Sequence, residues 1–133
     1  MKSELELAIR YYETDQMGIV HHSNYIRYFE CGRSDMMEKY GLPIQKIEEE
    51  GVMLPVVSVE CHYKTPAVMG DTVRIVSSID KVPLAKLIVN SEIYNQNGVL
   101  LAYGSVTLGF IDSKTRHPVR CPDSLAEIIK TNL

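Results

Sequence analysis

Only one stretch of the chain carries a helical period long enough to fill a core, and it lies near the start. After Ser23 and Asn24, both good helix caps, Tyr25, Phe29, Gly32, Met36 and Tyr40 recur at helical spacing, with Ile26, Arg33 and Met37 beside them. Gly41 and Pro43 then end the pattern. A helix apolar on so broad a stripe has to be covered by something. Gly32 inside it costs about 1 kcal/mol relative to alanine, which predicts close approach of another backbone at that point.

What could cover the helix is almost entirely strand-like. From Glu4 to Tyr12 the chain alternates, with Leu5, Leu7, Ile9 and Tyr11 on one face and Glu4, Glu6 and Arg10 on the other. Tyr11 reads as the last core residue of that strand. Further strands are predicted over Leu54 to Tyr63, Thr72 to Lys81 and Lys86 to Gln96, and a last one over Val99 to Ile111. Asn97-Gly98 between the last two is a strong hairpin signal. Short helices are expected from Ile44 to Glu50 and from Ser124 to Lys130. One long helix with about five antiparallel strands around it in sequence makes an α+β domain, the sheet wrapping one face around the helix. The other sheet face and its edges invite a partner.

Composition narrows the function classes. The 133 residues, with 45% apolar and 23% charged, fit one ordinary globular domain over 1–133. Fourteen basic against 17 acidic residues give a net charge of −3, which supplies no electrostatic grip on nucleic acid or an anionic membrane. No apolar run is long enough to span a bilayer, and the acidic, alternating start does not resemble a signal peptide. Three cysteines without CxxC spacing argue against a disulfide framework or zinc site and for idle thiols in a reducing cytoplasm. His21 and His22 are not expected to share a metal, because adjacent side chains diverge and no third ligand is suitably spaced.

The chemistry-bearing stretch is "YYETDQMGIVHHSNYIRYFE", residues 11–30. Asp15 and Gly18 break the strand pattern from Glu13 to His22 and make a loop, and the long helix follows at once. A loop aspartate commonly does no more than hydrogen-bond nearby amides. Here it precedes a helix N-terminus, whose first N–H groups have no partner within the helix and point outward along a positive dipole. A carboxylate opposite such donors can act on a carbonyl carbon while the amides hold the oxygen that becomes negative.

Asp15, Gly18, Ile19, Val20, His21, His22, Asn24 and Tyr25 together resemble the signature of hotdog-fold acyl-CoA thioesterases of the 4-hydroxybenzoyl-CoA thioesterase and YbgC type. A second element, "YKTPAVMGD" with Tyr63, Pro66, Ala67, Gly70 and Asp71, is similar to that family's turn between two strands. The order of strand, loop, helix and four strands extends the likeness over nearly the whole chain.

The resemblance implies a hotdog fold that hydrolyses an acyl-CoA thioester without a cofactor or metal. Asp15 would be nucleophile or general base, and the backbone N–H of His22 the oxyanion donor. It groups the His22 side chain and Tyr11 with Asp15 as catalytic. Gly18, Ile19, Val20, Asn24 and Tyr25 would bind substrate, joined by Val57, Ser58 and Val59 on the next strand, while Met17 and Met53 could touch the acyl chain. Lys81 and Lys86, with Arg120 beside them as a further option, are candidates for the CoA phosphates at a subunit edge, although the family's usual small polar residues are replaced there by Val82, Pro83, Leu84 and Ala85. A homodimer or homotetramer with sites at the dimer interface is the implied assembly. Two alternatives remain open: a hotdog enoyl-thioester hydratase, which would use an acid from the long helix such as Glu30, Asp35 or Glu38, and a non-catalytic acyl-thioester-binding protein.

Overall fold

The structure, a computed structural model, describes residues 1–133. In chain order it comprises β1 (Lys2–Ala8), a 3-10 turn (Tyr11–Glu13), α1 (Ser23–Lys39), α2 (Ile44–Glu49), β2 (Val52–Met53), β3 (Val56–Tyr63), β4 (Thr72–Ser78), β5 (Lys86–Tyr94), β6 (Leu100–Gly109), β7 (Ile111–Asp112) and α3 (Asp123–Thr131). Five strands form one antiparallel sheet in the order β1-β4-β5-β6-β3, and β2 pairs with β7 in a small separate ribbon. No helix is long and apolar enough to cross a membrane.

The register follows from which residues must be inside. Leu5 pairs with Ile75, Ile75 with Ile93 and Ile93 with Ala102, so apolar residues line one face of four strands. The helix α1 lies on that face, and Tyr25, Tyr28, Phe29, Met36 and Met37 are buried with those residues in one core. Each fully buried side chain of this size contributes about 1.5–3 kcal/mol. Leu125 and Ile129 of α3 are buried in the same cluster.

Several sequence expectations need correction. The first strand stops at Ala8 rather than Tyr12, because the Arg10 N–H donates to Glu13 Oε1 at 2.7 Å and the chain folds into the 3-10 turn. Tyr11 is therefore not a core residue; it is 81% exposed. The third and fourth strands are shorter than expected, Val56–Tyr63 and Thr72–Ser78, and β3 carries an irregularity between Val56 and Ser58. The β2–β7 ribbon has no counterpart in the sequence reading, since two-residue strands leave no period.

Gly32 does mark a close approach, but to side chains and not to a backbone. A Cβ there would fall 2.6 Å from both Ile75 Cγ2 and Ser77 Oγ of β4. Gly32→Ala is thus expected to destabilise by about 1–3 kcal/mol through overpacking, despite the gain of about 1 kcal/mol in helix propensity. Urea denaturation reads this directly; a midpoint at or above the parent's would mean that α1 lifts off β4 without cost.

Candidate active site

The loop before α1 is held by its own backbone. Asp15 N–H donates to the Ile19 carbonyl at 2.8 Å, Gly18 N–H donates to the Asp15 carbonyl at 3.0 Å, and Gly18 takes φ +77°, a conformation glycine adopts freely. Val20 N–H donates to the Ala67 carbonyl at 2.8 Å, and Ile19 bridges to Val68, so the loop is stitched to the segment following β3. The "YKTPAVMGD" element is the other wall of this site.

The Asp15 carboxylate is partly committed. Its Oδ1 accepts from Met17 N–H at 2.8 Å, the loop-closing bond expected of a turn aspartate. No side chain or amide of the chain bonds its Oδ2. The residue is partly exposed and lines the cleft described below.

The helix start is organised by a different carboxyl-bearing residue. The carbonyl of Glu13, itself buried, accepts both from His21 N–H at 2.8 Å and from Asn24 Nδ2 at 2.8 Å. His22 stands at the N-cap, and Asn24 lies within the helix. Asn24 is therefore not the cap its residue type suggested; it is a buried brace between helix and loop. The N–H of Ser23 is turned to His21 Nδ1 at 3.3 Å, whereas the His22 N–H has no acceptor within the chain. The rings of His21 and His22 stack at 4.2 Å between centroids, contrary to the expectation that they diverge.

Two tyrosines complete the wall. Tyr63 Oη donates to the His22 carbonyl at 3.0 Å, tying the end of β3 to the first residue of the helix start. Tyr25 Oη accepts from Ala67 N–H at 3.0 Å, and its ring meets that of Tyr63 edge-on at 5.3 Å. Burial is the largest influence on both hydroxyls and raises their pKa, so each remains a neutral hydrogen-bonding group at physiological pH.

These groups converge on a cleft of about 320 Å³ lined by Asp15, Met17, Ile19, Val20, His22 and Tyr25 on one side and Tyr63, Lys64, Thr65 and Pro66 on the other. Gly18 shapes the turn beneath it. Tyr11, Val57, Ser58 and Val59 are not among its lining residues; Tyr11 sits on the exposed 3-10 turn and the other three on the edge strand β3. Lys81 and Lys86 line a separate cleft at the β4–β5 turn, with Leu84 and Asn90. Met53 lines a third cavity, described below.

The sequence reading assigned no role to Tyr63, Lys64, Thr65 or Pro66. A signal existed: Tyr63 both ends a strand and opens the second motif, and alternation places it on the same face as Val59 and Cys61. What could not be read from spacing is that its hydroxyl reaches back 41 residues to His22.

Chemically, the cleft offers one carboxylate oxygen, one unpaired main-chain N–H at a helix start and an aromatic wall. That combination suits acyl transfer at a carbonyl more than proton shuttling along an alkyl chain.

The thioesterase-like superfamily model matches residues 9–129. YneP of Bacillus subtilis is 33% identical over 118 residues, covering 89% of this chain and 86% of its own. The acyl-CoA thioesterase YbgC of Helicobacter pylori is 28% identical over 133 residues, covering 94% of this chain and 98% of its own. Among solved structures, a DHNA-CoA thioesterase from Staphylococcus aureus superposes with a TM-score of 0.92 at 29% identity, over 98% of this chain and 90% of that one. One long helix packed on a five-stranded antiparallel sheet is the hotdog fold these proteins share, and the chain belongs to the thioesterase-like superfamily as a thioester hydrolase.

Proposed function

We propose that this protein is an acyl-CoA thioesterase that cleaves its substrate to the free acid and CoA in the Asp15–His22 cleft. The observation that carries the reading is the pairing, in one cleft, of a carboxylate with a free oxygen and a helix-start N–H with no acceptor of its own. The thioester carbonyl oxygen would accept from the His22 N–H, with the helix dipole behind it stabilising the negative charge that develops.

Asp15 Oδ2 then has two routes. It can attack the carbonyl carbon, expelling the CoA thiolate and leaving a mixed anhydride that water cleaves. Alternatively it can take a proton from a water that attacks the same carbon. Both end in acid plus thiol. His22 Nε2 or Nδ1 is the side-chain group available to orient that water, and Tyr63 holds the carbonyl end of the same residue. Ile19, Val20 and Tyr25 supply the apolar contact near the thioester, and Gly18 and Asn24 keep the loop and helix in register.

The same reading makes the protein a cytoplasmic single-domain homodimer, or a pair of such dimers, seamed along β3. Val56, Val57 and Val59 are 54%, 53% and 40% exposed on this edge strand, an apolar rim that a second β3 running antiparallel would cover and hydrogen-bond. Val57, Ser58 and Val59 would then contribute to the site from the seam, Tyr11 from its exposed turn, and Lys81 and Lys86 would meet CoA phosphates at a subunit edge. Val59→Asp, which puts a charge in the seam, is expected to convert a species of twice the chain's mass to monomer by light scattering. A variant that stays dimeric would move the seam elsewhere.

The deciding experiment for the activity is thiol release, followed with a chromogenic disulfide, from a panel of aromatic and graded-length acyl-CoAs. Release well above the spontaneous rate for at least one acyl class is expected. Tight binding of every acyl-CoA without release would reduce the protein to a carrier, and hydration of an enoyl-CoA without release would make it a hydratase.

A further inference from the structure

We propose that Arg33, in the wall of the third cavity, beside α1, selects thioester substrates whose acyl group ends in a carboxylate. The cavity lies between α1, α2 and the start of β3 and holds about 330 Å³. Its floor is apolar: Met37, Leu87 and Leu108 are buried, and Ile44, Met53 and Leu54 are partly so. That is the volume and lining of a small-ligand pocket rather than a packing fault.

Of the four charged residues that line it, only Arg33 is not exposed. Arg33 is half-buried, and burial is the largest influence on it, lowering the guanidinium's pKa, with the Glu30 charge acting the other way. The ion pairs of the chain join Arg10 to Glu13, Lys39 to Asp35, His62 to Glu60 and Arg74 to Glu4, and leave Arg33 out. Glu30, Glu48 and Arg116 also line the cavity but are exposed, where water and salt screen them. A partly desolvated guanidinium without a partner is unfavourable by itself, and the group that best satisfies it is a carboxylate, taken bidentate. An acyl chain laid over the apolar floor would bring its terminal carboxylate to that point.

This inference rests on the thioesterase reading above and on the β3 seam. Val56, at one end of β3, lines the Arg33 cavity, and Tyr63, at the other end, lines the Asp15 cleft. In the register that pairs β3 over its full length, antiparallel pairing of two copies would set Val56 of one beside Tyr63 of the other. The cavity of one copy then continues the cleft of its partner, so the thioester sits with one chain's Asp15 and the acyl end with the other chain's Arg33.

The test measures kcat/KM on matched acyl-CoAs of equal length ending in methyl or in carboxylate. The parent is expected to favour the carboxylate by about 10- to 100-fold, the worth of a charge-assisted hydrogen bond. Arg33→Met should collapse that ratio towards one, and Arg33→Lys should keep part of it. Equal ratios in the parent and both variants would overturn the assignment. A heterodimer of Asp15→Asn and Arg33→Met chains, purified by two tags, has one site with both lesions and one with neither. It should regain about half the parent's rate on the carboxylated substrate, and a rate no higher than either variant alone would overturn the placement across the seam. If Asp15→Asn by itself works as fast as the parent, the fault lies with the thioesterase mechanism. If it is inactive while the ratio never moves, only the role of Arg33 falls.

Discussion

Replacing Asp15 by asparagine is expected to lower turnover by about 10²–10⁴-fold, the range over which a positioned base contributes, with the fold unchanged. The substitution is chosen for what it keeps. An asparagine carbonyl can still accept the Met17 N–H that Oδ1 accepts now, so the turn from Asp15 to Gly18 and its stitches to Ala67 and Val68 survive. What disappears is the negative charge and the free lone pairs of Oδ2, which both chemical routes need. Asp15→Ala would lose the turn bond as well and so mix two effects. The measurement is kcat on the best acyl-CoA of the panel, beside a urea midpoint within a few tenths of a molar of the parent's. Parent-like turnover in the folded Asn variant would leave Asp15 as a turn residue and nothing more.

The largest expected effect on stability falls at Gly104, far from the cleft. This residue sits in the middle of β6, between Cys61 of β3 and Ser91 of β5. A Cβ there would fall inside the carbonyl oxygen of Glu60, 2.8 Å from the Glu60 carbonyl carbon and 3.0 Å from Cys61 Cα. All three atoms are backbone, so no rotamer change relieves the overlap, in contrast to Gly32, where side chains can give. Gly104→Ala should therefore cost at least the upper part of the ~1–3 kcal/mol range for overpacking, and it should act by prying β3 from β6. Hydrogen exchange is the diagnostic readout: amides of β3 should lose protection before those of β4 and β5. A variant as stable as the parent would show that the two strands part easily, and with it that β3 is a poor base for a subunit seam.

Much of this architecture could be read from the residues, and the reasons are local. The α1 stripe and the alternation of β1 and β5 reflect burial on one side only, which imprints a period on the sequence. The Asn97-Gly98 turn formed where expected, with Gly98 at φ +74° and Asn95 Oδ1 accepting from the amides of Asn97 and Val99. Asp15, Ile19, Val20, His22 and Tyr25 do come together at one cleft because the loop and helix start are contiguous in sequence. Failures arose where a hydrogen bond between a side chain and the backbone decides. The Arg10–Glu13 turn ended β1 early, Asn24 was drawn from capping to bracing by a carbonyl 11 residues away, and Tyr63 joined the site through a hydroxyl bond to His22. Alternation in β3 could not reveal that the strand lies at the sheet's edge, since pairing order is invisible to a two-residue period.

The bond from Tyr63 to the His22 carbonyl has a consequence for how the protein would behave in solution. Tyr63 ends the very strand proposed to meet a second copy, so the same few residues that associate also steady the helix start. Mass action should then reach the chemistry: specific activity is expected to fall on dilution below the dissociation constant of the pair, and to recover on reconcentration, while circular dichroism of the helix and sheet stays constant.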